Sequence, residues 1–287
     1  MVENVNVNSL MLKAIYPKKY YDDFLSSGVF PNGREISKFE DNEISLEKKD
    51  KENYSKTAVV VNSSSYVIGT QEISVRRNVE NPPCFSVEIT KTSEKKQREH
   101  EYSFAENVLT FLCGHGLLYS FDQLLSSDKV LQFVINSKIK YSGNPSEMLQ
   151  MCLAALVSSL ATISLPSLYL QQFAKDDIKI STNDVKFETE LCKKFVLNDY
   201  PVATSLSLYE TEDQNKDSIM IYSTPPSIKE FCSTGIISVV GNKNNIMYLS
   251  GGGSEPFDMD KMKKFIHDSF EYQKKFEEQL MEKINKL

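Results

Sequence analysis

Residues 151–165 read MCLAALVSSLATISL, the longest apolar run in the chain, interrupted by Ser158, Ser159 and Thr162 and stopped by Pro166. A membrane-crossing helix needs about 20 apolar residues, so this run is too short to span a bilayer. A helix that is apolar on every side belongs in an interior. The run predicts a buried helix over residues 146–162, preceded by the turn Ser142-Gly143-Asn144-Pro145. Such a helix needs material on more than one side, and the flanking sequence offers β-strands on both.

Upstream, TAVVVN (57–62) and SYVIGTQEISVR (65–76) are rich in Val, Ile, Tyr and Thr around a serine turn, and FSVEI (85–89) alternates with period two. KVLQFVINSKIKY (129–141) reads as a further strand. Helical spacing links Phe104, Val108, Phe111 and Leu112, and again Leu117, Leu118, Phe121, Leu124 and Leu125. Residues 17–25, PKKYYDDFL, predict a short helix with Pro17 in its first turn, followed by a turn at Asn32-Gly33. The charged stretch 47–52 reads as a solvated connection between strands, and 90–101 as an exposed polar loop.

Downstream, strands are predicted over 178–181, 185–187, 203–209, 218–223, 235–240 and 245–250, and a long helix over about 258–286. Each half is strands first and helices second. That order favours an α+β sandwich over a doubly wound parallel sheet.

The chain has 287 residues, enough for one large or two moderate domains. Glycine and proline together number 21, which excludes collagen-like and Pro/Gly-rich disordered classes. The net charge of −6 argues against a surface that binds nucleic acid everywhere, and leaves room for a local basic channel. Cys84, Cys113, Cys152, Cys192 and Cys232 are scattered singly, and MVENVNVNSL carries neither a basic start nor an apolar run. The expectation is therefore a soluble intracellular protein in a reducing compartment.

Candidate chemistry is sparse. Gly251-Gly252-Gly253-Ser254 precedes the last helix, but lacks the lysine of a P-loop and the spacing of a dinucleotide fingerprint. A tight connection, with Ser254 or Asp258 capping the helix, is the favoured reading. Cys113 and His115 flank Gly114 without a second Cys/His pair to complete a metal site, so a buried thiol beside a turn histidine is expected. His100 and His267 have no nucleophile elbow or acid partner. Lys91, Lys95, Lys96 and Arg98, with Arg76 and Arg77 earlier, form a basic cluster diluted by Glu94, Glu99 and Glu101. By charge alone this is a solvated loop, since charge runs usually just solvate. The residues give a fold class and no reaction.

Four longer segments, taken in order, carry a resemblance: YYDDFLSSGVFPNGREISKF (20–39), SKTAVVVNSSSYVIGTQEISV (55–75), PVATSLSLYE (201–210) and STGIISVVGNKNNIMYLSGGGS (233–254). From about Tyr16 onward the chain resembles the ribonuclease PH family, and within it the ring subunits of the eukaryotic RNA exosome. The resemblance implies two sheet-and-helix halves of the ribosomal protein S5 domain 2-like kind. They would comprise an N-terminal arm and leading helix (1–39), a first half (40–166) and a second half with the C-terminal helix (167–287).

Active members of that family cleave RNA from its 3′ end with phosphate. They bind phosphate through a basic residue on the turn into the central helix, and use acidic residues after a second-half strand. Phosphoryl transfer depends chiefly on such positioning and charge stabilisation. The corresponding places here hold Ser146, followed by Glu147, and about Thr224, with Glu230 as the one remaining second acid. Glu147 is expected to repel an incoming phosphate.

The resemblance therefore implies a non-catalytic subunit, with no cofactor and no metal, that threads RNA towards a separate nuclease. Implied partners are other ribonuclease PH-like subunits in a hetero-hexameric ring, cap subunits and single-stranded RNA, with no membrane. The implied location is the nucleus, nucleolus and cytoplasm. Lys91, Lys95, Lys96 and Arg98 become candidate contacts to the RNA backbone, Lys91 lying where relatives carry a pore arginine. The rival readings are a phosphorolytic 3′-to-5′ exoribonuclease with an active site shared with a partner, and a free-standing RNA-binding module.

Overall fold

The computed structural model describes residues 11–48, 56–63, 65–78, 84–91, 99–127, 129–143, 145–170, 185–212 and 217–286. After helix α1 (Pro17–Leu25) come strands β1 (Glu43–Lys48), β2 (Lys56–Val61), β3 (Tyr66–Arg77) and β4 (Phe85–Lys91), then helix α2 (Glu99–Gly114). Strand β5 (Leu131–Ser142) leads through a single 3-10 turn (Pro145–Glu147) into helix α3 (Met148–Leu160). The first sheet has the order β1-β2-β3-β5-β4. It is antiparallel except for β4 and β5, which run parallel with α2 as the crossover.

Strands β6 (Ser164–Leu170) and β7 (Val185–Lys194) form a two-stranded sheet. A second main sheet, ordered β11-β10-β8-β9, uses β8 (Val202–Tyr209), β9 (Ile219–Tyr222), β10 (Cys232–Gly241) and β11 (Asn245–Gly253), all antiparallel. The one-turn helix α4 (Pro226–Lys229) lies between β9 and β10, and the 27-residue helix α5 (Met259–Asn285) ends the fold. The architecture is α+β.

Helix α3 is the hub. All thirteen of its residues are buried, which a helix apolar on every side requires. One side lies on β2 and β3 and another on β8, so the two main sheets share it as a filling. The approach to β3 is close enough to need a glycine: a Cβ on Gly69 would stand 3.0 Å from the Ala155 carbonyl oxygen. Of the serines that interrupt the apolar run, Ser159 is accommodated by hydrogen bonding, whereas Ser158 Oγ is buried without a partner among the described residues. Ser159 Oγ donates to Ala155 O (2.7 Å) and accepts from Gln71 Nε2 (2.8 Å), and Gln71 Nε2 also donates to Ser137 Oγ (2.9 Å). Buried polar groups held this way fix the register between helix and sheet without an unpaired-donor penalty.

Helix α5 lays Phe265, Ser269, Gln273, Phe276 and Leu280 inward, at spacings of three and four. Its cap is Asp258, whose side chain accepts from Asp260 N (3.1 Å). A buried hydroxyl triangle ties it to the second sheet, Thr204 Oγ1 lying 2.8 Å from both Ser238 Oγ and Ser269 Oγ.

Four sequence expectations change. The apolar run is not helical to its end. Helix α3 stops at Leu160, Thr162 Oγ1 turns back to Ser159 O (2.8 Å), and Ser164–Leu170 continue as β6, with the register irregular at Pro166/Ser167. The charged stretch from Glu47 begins inside β1, where Ile44 and Leu46 pack inward and alternate with Glu43, Ser45 and Glu47. The polar segment 90–101 is not all loop, for β4 runs to Lys91 and α2 begins at Glu99. The second helical stretch around 117–125 is only a 3-10 turn, Phe121–Leu124. The strand expected over 178–181 lies outside the described residues.

Candidate functional site

Two loops converge where the halves meet. The first is the turn into α3, set by the end of β5, which brings Ser146 to the α3 N-terminus. The second follows β9. Here Arg34, from the PNGR turn of the arm, donates to the carbonyl oxygens of Tyr222 (3.2 Å), Ser223 (2.8 Å) and Lys38 (2.8 Å), with its guanidinium 4.2 Å from the centre of the Phe30 ring. Burial pulls the Arg34 pKa down, and the carboxylates of Glu40 and Glu147 oppose that shift. Gripped at its carbonyl, Ser223 takes a left-handed conformation (φ +47°), uncommon for any residue but glycine. Thr224 then turns inward, 3% exposed.

Ser146 and Thr224 line one cleft of about 410 Å³. Its floor is apolar, including Leu149 of α3 and Ile236 of β10; Ser205 and Ser207 of β8 add hydroxyls, and Gly251 and Gly252 of β11 form a rim. The charged groups lining it are Glu101 and Lys229, joined by the imidazole of His100. Among the described lining residues there is no arginine and no aspartate. Thr224 Oγ1 is buried and finds no hydrogen-bond partner among the described residues, as does Ser223 Oγ beside it. The lysine of the cleft offers a point charge and not the planar two-pronged grip that an arginine gives a phosphate. The cleft can seat a polar ligand.

The structure thus brings together the two positions that the sequence singled out, and adds Lys229, which it did not, with His100 and Glu101, which it had given no role in a site. His100 was hidden by its reading as part of a loop; as the second residue of α2 it faces the cleft. Glu230, the expected second acid, is exposed at the end of α4 and does not line the cleft.

Glu147 also departs from expectation. The residue is 3% exposed and its carboxylate is turned away from the cleft, accepting from Asn62 Nδ2 (2.9 Å) and Ser65 Oγ (3.0 Å) in the β2–β3 hairpin. It therefore anchors a turn and does not line the cleft. The reason is the 3-10 turn at Pro145–Glu147, which places neighbouring side chains on different faces.

Of the basic cluster, Lys91 is the last residue of β4, its backbone opposite Tyr141 near the end of β5 that leads into the Ser146 turn. Lys95, Lys96 and Arg98 lie outside the described residues. Gly251–Gly253 belong to strand β11 and not to a helix N-terminus, so they form no phosphate cradle. Cys113 is fully buried, its thiol pKa raised by desolvation, and His115 Nδ1 lies 3.0 Å from Phe111 O. No cluster of three or more His, Cys, Asp or Glu fit for a metal occurs among the described residues, and none of their helices is long and apolar enough to cross a membrane.

This order of sheets and helices defines the ribonuclease PH-like fold of the exosome core. Three solved structures show the likeness. A chain of an archaeal exosome core superimposes with a TM-score of 0.67 at 11% identity, over 96% of this chain and 99% of that one. A chain of the Archaeoglobus fulgidus exosome with RNA bound to the active site gives 0.64 at 12%, over 91% and 96%. Rice (Oryza sativa) Rrp46 gives 0.56 at 10%, over 89% and 100%. No family model matches the sequence, and no curated protein matches it.

Proposed function

We infer that this protein is a non-catalytic subunit of an RNA exosome ring, pairing with other ribonuclease PH-like chains and cap subunits. The ring guides single-stranded RNA, 3′ end first, to a nuclease carried by another protein. Support for ring membership comes from the fold, which spans nearly the full length of archaeal exosome and rice Rrp46 chains. Within the ring, the YYDDFL start, PVATS and GGGS elements favour the subunit type called ribosomal RNA-processing protein forty-three, at work in the nucleus, nucleolus and cytoplasm. The observation that carries the non-catalytic reading is the pair Ser146 and Thr224. They meet in one cleft where an active relative needs a phosphate-binding cation and an acid.

The test is direct. The protein, alone and together with its ring partners, is incubated with oligo(A) and inorganic phosphate. No nucleoside diphosphate is expected, and its release by this subunit would establish the phosphorolytic alternative. For RNA guidance, changing Lys91, Lys95, Lys96 and Arg98 together to Ala should weaken RNA protection by the assembled ring. It should also flatten the salt dependence, because phosphate contacts release counterions. Unchanged binding and slope would remove these residues from the RNA path.

A further inference from the structure

The cleft between the halves carries two opposite charges that do not meet. Glu101 and Lys229 both line it, and the side chain of neither makes a hydrogen bond or ion pair with the other or with any further described residue. Each charge suits its own helix, Glu101 lying in the first turn of α2 and Lys229 in the last turn of α4. That both face one cavity is decided by the packing of the two halves.

The second half supplies Lys229 together with Thr224 from the same connection after β9. Thr224 is almost wholly buried, and its Oγ1 has no partner among the described residues, a cost that a ligand oxygen would remove. The first half supplies the half-buried Glu101. The remaining lining is mainly apolar, with Phe104 of α2, Met148 and Leu149 of α3, Leu206 of β8 and Ile236 of β10. A volume of about 410 Å³ with this composition matches a small-molecule site, where apolar walls carry a few placed polar groups.

A ligand with a single charge fits this lining badly. An inorganic anion at Lys229 would desolvate Glu101 and leave it unanswered, and a simple amine at Glu101 would do the same to Lys229. A wholly apolar ligand would take both charges out of water unpaired. A molecule that joins an ammonium, a carboxylate and an apolar body answers all of the cleft's features at once.

We propose that the cleft binds a free apolar α-amino acid, its carboxylate towards Lys229 and Thr224, its ammonium towards Glu101 and its side chain on the apolar floor. The amino acid is free because the end of a peptide carries only one of the two charges. This goes beyond the ring-subunit reading and holds for the chain alone or assembled.

The experiment titrates the full chain calorimetrically with L-leucine, N-acetyl-L-leucine, L-leucine methyl ester and inorganic phosphate. Leucine should bind at least about tenfold more tightly than the acetylated form, which lacks the ammonium, and than the ester, which lacks the carboxylate. Glu101→Gln should erase the advantage of leucine over the acetylated form, and Lys229→Gln its advantage over the ester. A merely structural role for either residue would not move these ratios. The melting temperature without ligand checks that each variant folds; if one does not, the three leucine forms on the wild type decide alone. Leucine that binds no more tightly than a blocked form, or gives no heat in the millimolar range, overturns the proposal. Ratios unchanged in both folded variants overturn the assigned contacts and the proposal with them. Phosphate that binds where leucine does not overturns it in favour of an anion site.

Discussion

Replacing Glu147 separates two roles that the sequence confounds. As a neighbour of the cleft it would repel anions; as the structure places it, it anchors the β2–β3 hairpin to the start of α3. Its carboxylate accepts from Asn62 Nδ2 and Ser65 Oγ and lies in the field of the half-buried Arg34. Hydrogen bonds to a charged group contribute about 1.5–3 kcal/mol each, and a buried donor left without its acceptor carries a further desolvation penalty. The two bonds put the loss for Glu147→Ala at about 3–6 kcal/mol. At this chain length that corresponds to a fall in Tm on the order of 10 °C. Glu147→Gln keeps an acceptor oxygen and the shape, and should lose well under half as much. Thermal and urea denaturation of the three proteins measure the series, and repeating the melts with added inorganic phosphate tests the cleft. A Glu147→Ala protein as stable as wild type would refute the anchoring role. A Glu147→Gln protein newly stabilised by phosphate would restore the repulsion argument.

Thr224→Val removes a buried hydroxyl that has no partner among the described residues and keeps the volume, so stability should hold or rise slightly; a drop in Tm of several degrees would mean that the hydroxyl is satisfied. The alkaline limb of stability should be governed by tyrosine. Burial raises the pKa of Tyr119, Tyr141, Tyr209, Tyr222 and Tyr272 above the ordinary value near 10, and Tyr222 also donates to Asp268 Oδ2 (2.7 Å). The unfolded chain therefore binds fewer protons than the folded one above pH ~10, so this stability is complete below that pH and is lost as pH rises. In an absorbance titration these tyrosines should ionise only together with unfolding, and smooth ionisation in a still-folded protein would contradict their burial. Cys232, with its thiol pushed up to about 12 mainly by burial, should react with a disulfide reagent at pH 8 far more slowly than after denaturation; equal rates would place it at the surface.

Local pattern in the sequence was enough for some of this. The apolar run at 151–160 could only be a buried helix, the period-two segments could only be strands, and strands preceding helices in each half made the α+β class legible. The helix cap at Asp258 and the turn at Asn32-Gly33 follow from short-range chemistry and appear where expected. Which charges meet was not legible, because that depends on contacts between residues far apart in the chain. Arg34 reaches the loop after β9 across 189 positions, and Lys229 and His100 face the same cleft from opposite halves. Glu147 follows Ser146 directly, yet a single 3-10 turn sends one to the cleft and the other to the hairpin. Periodicity specifies which residues are inside and which backbone they adopt. Only the packing of two sheets on one helix decides which polar groups share a site.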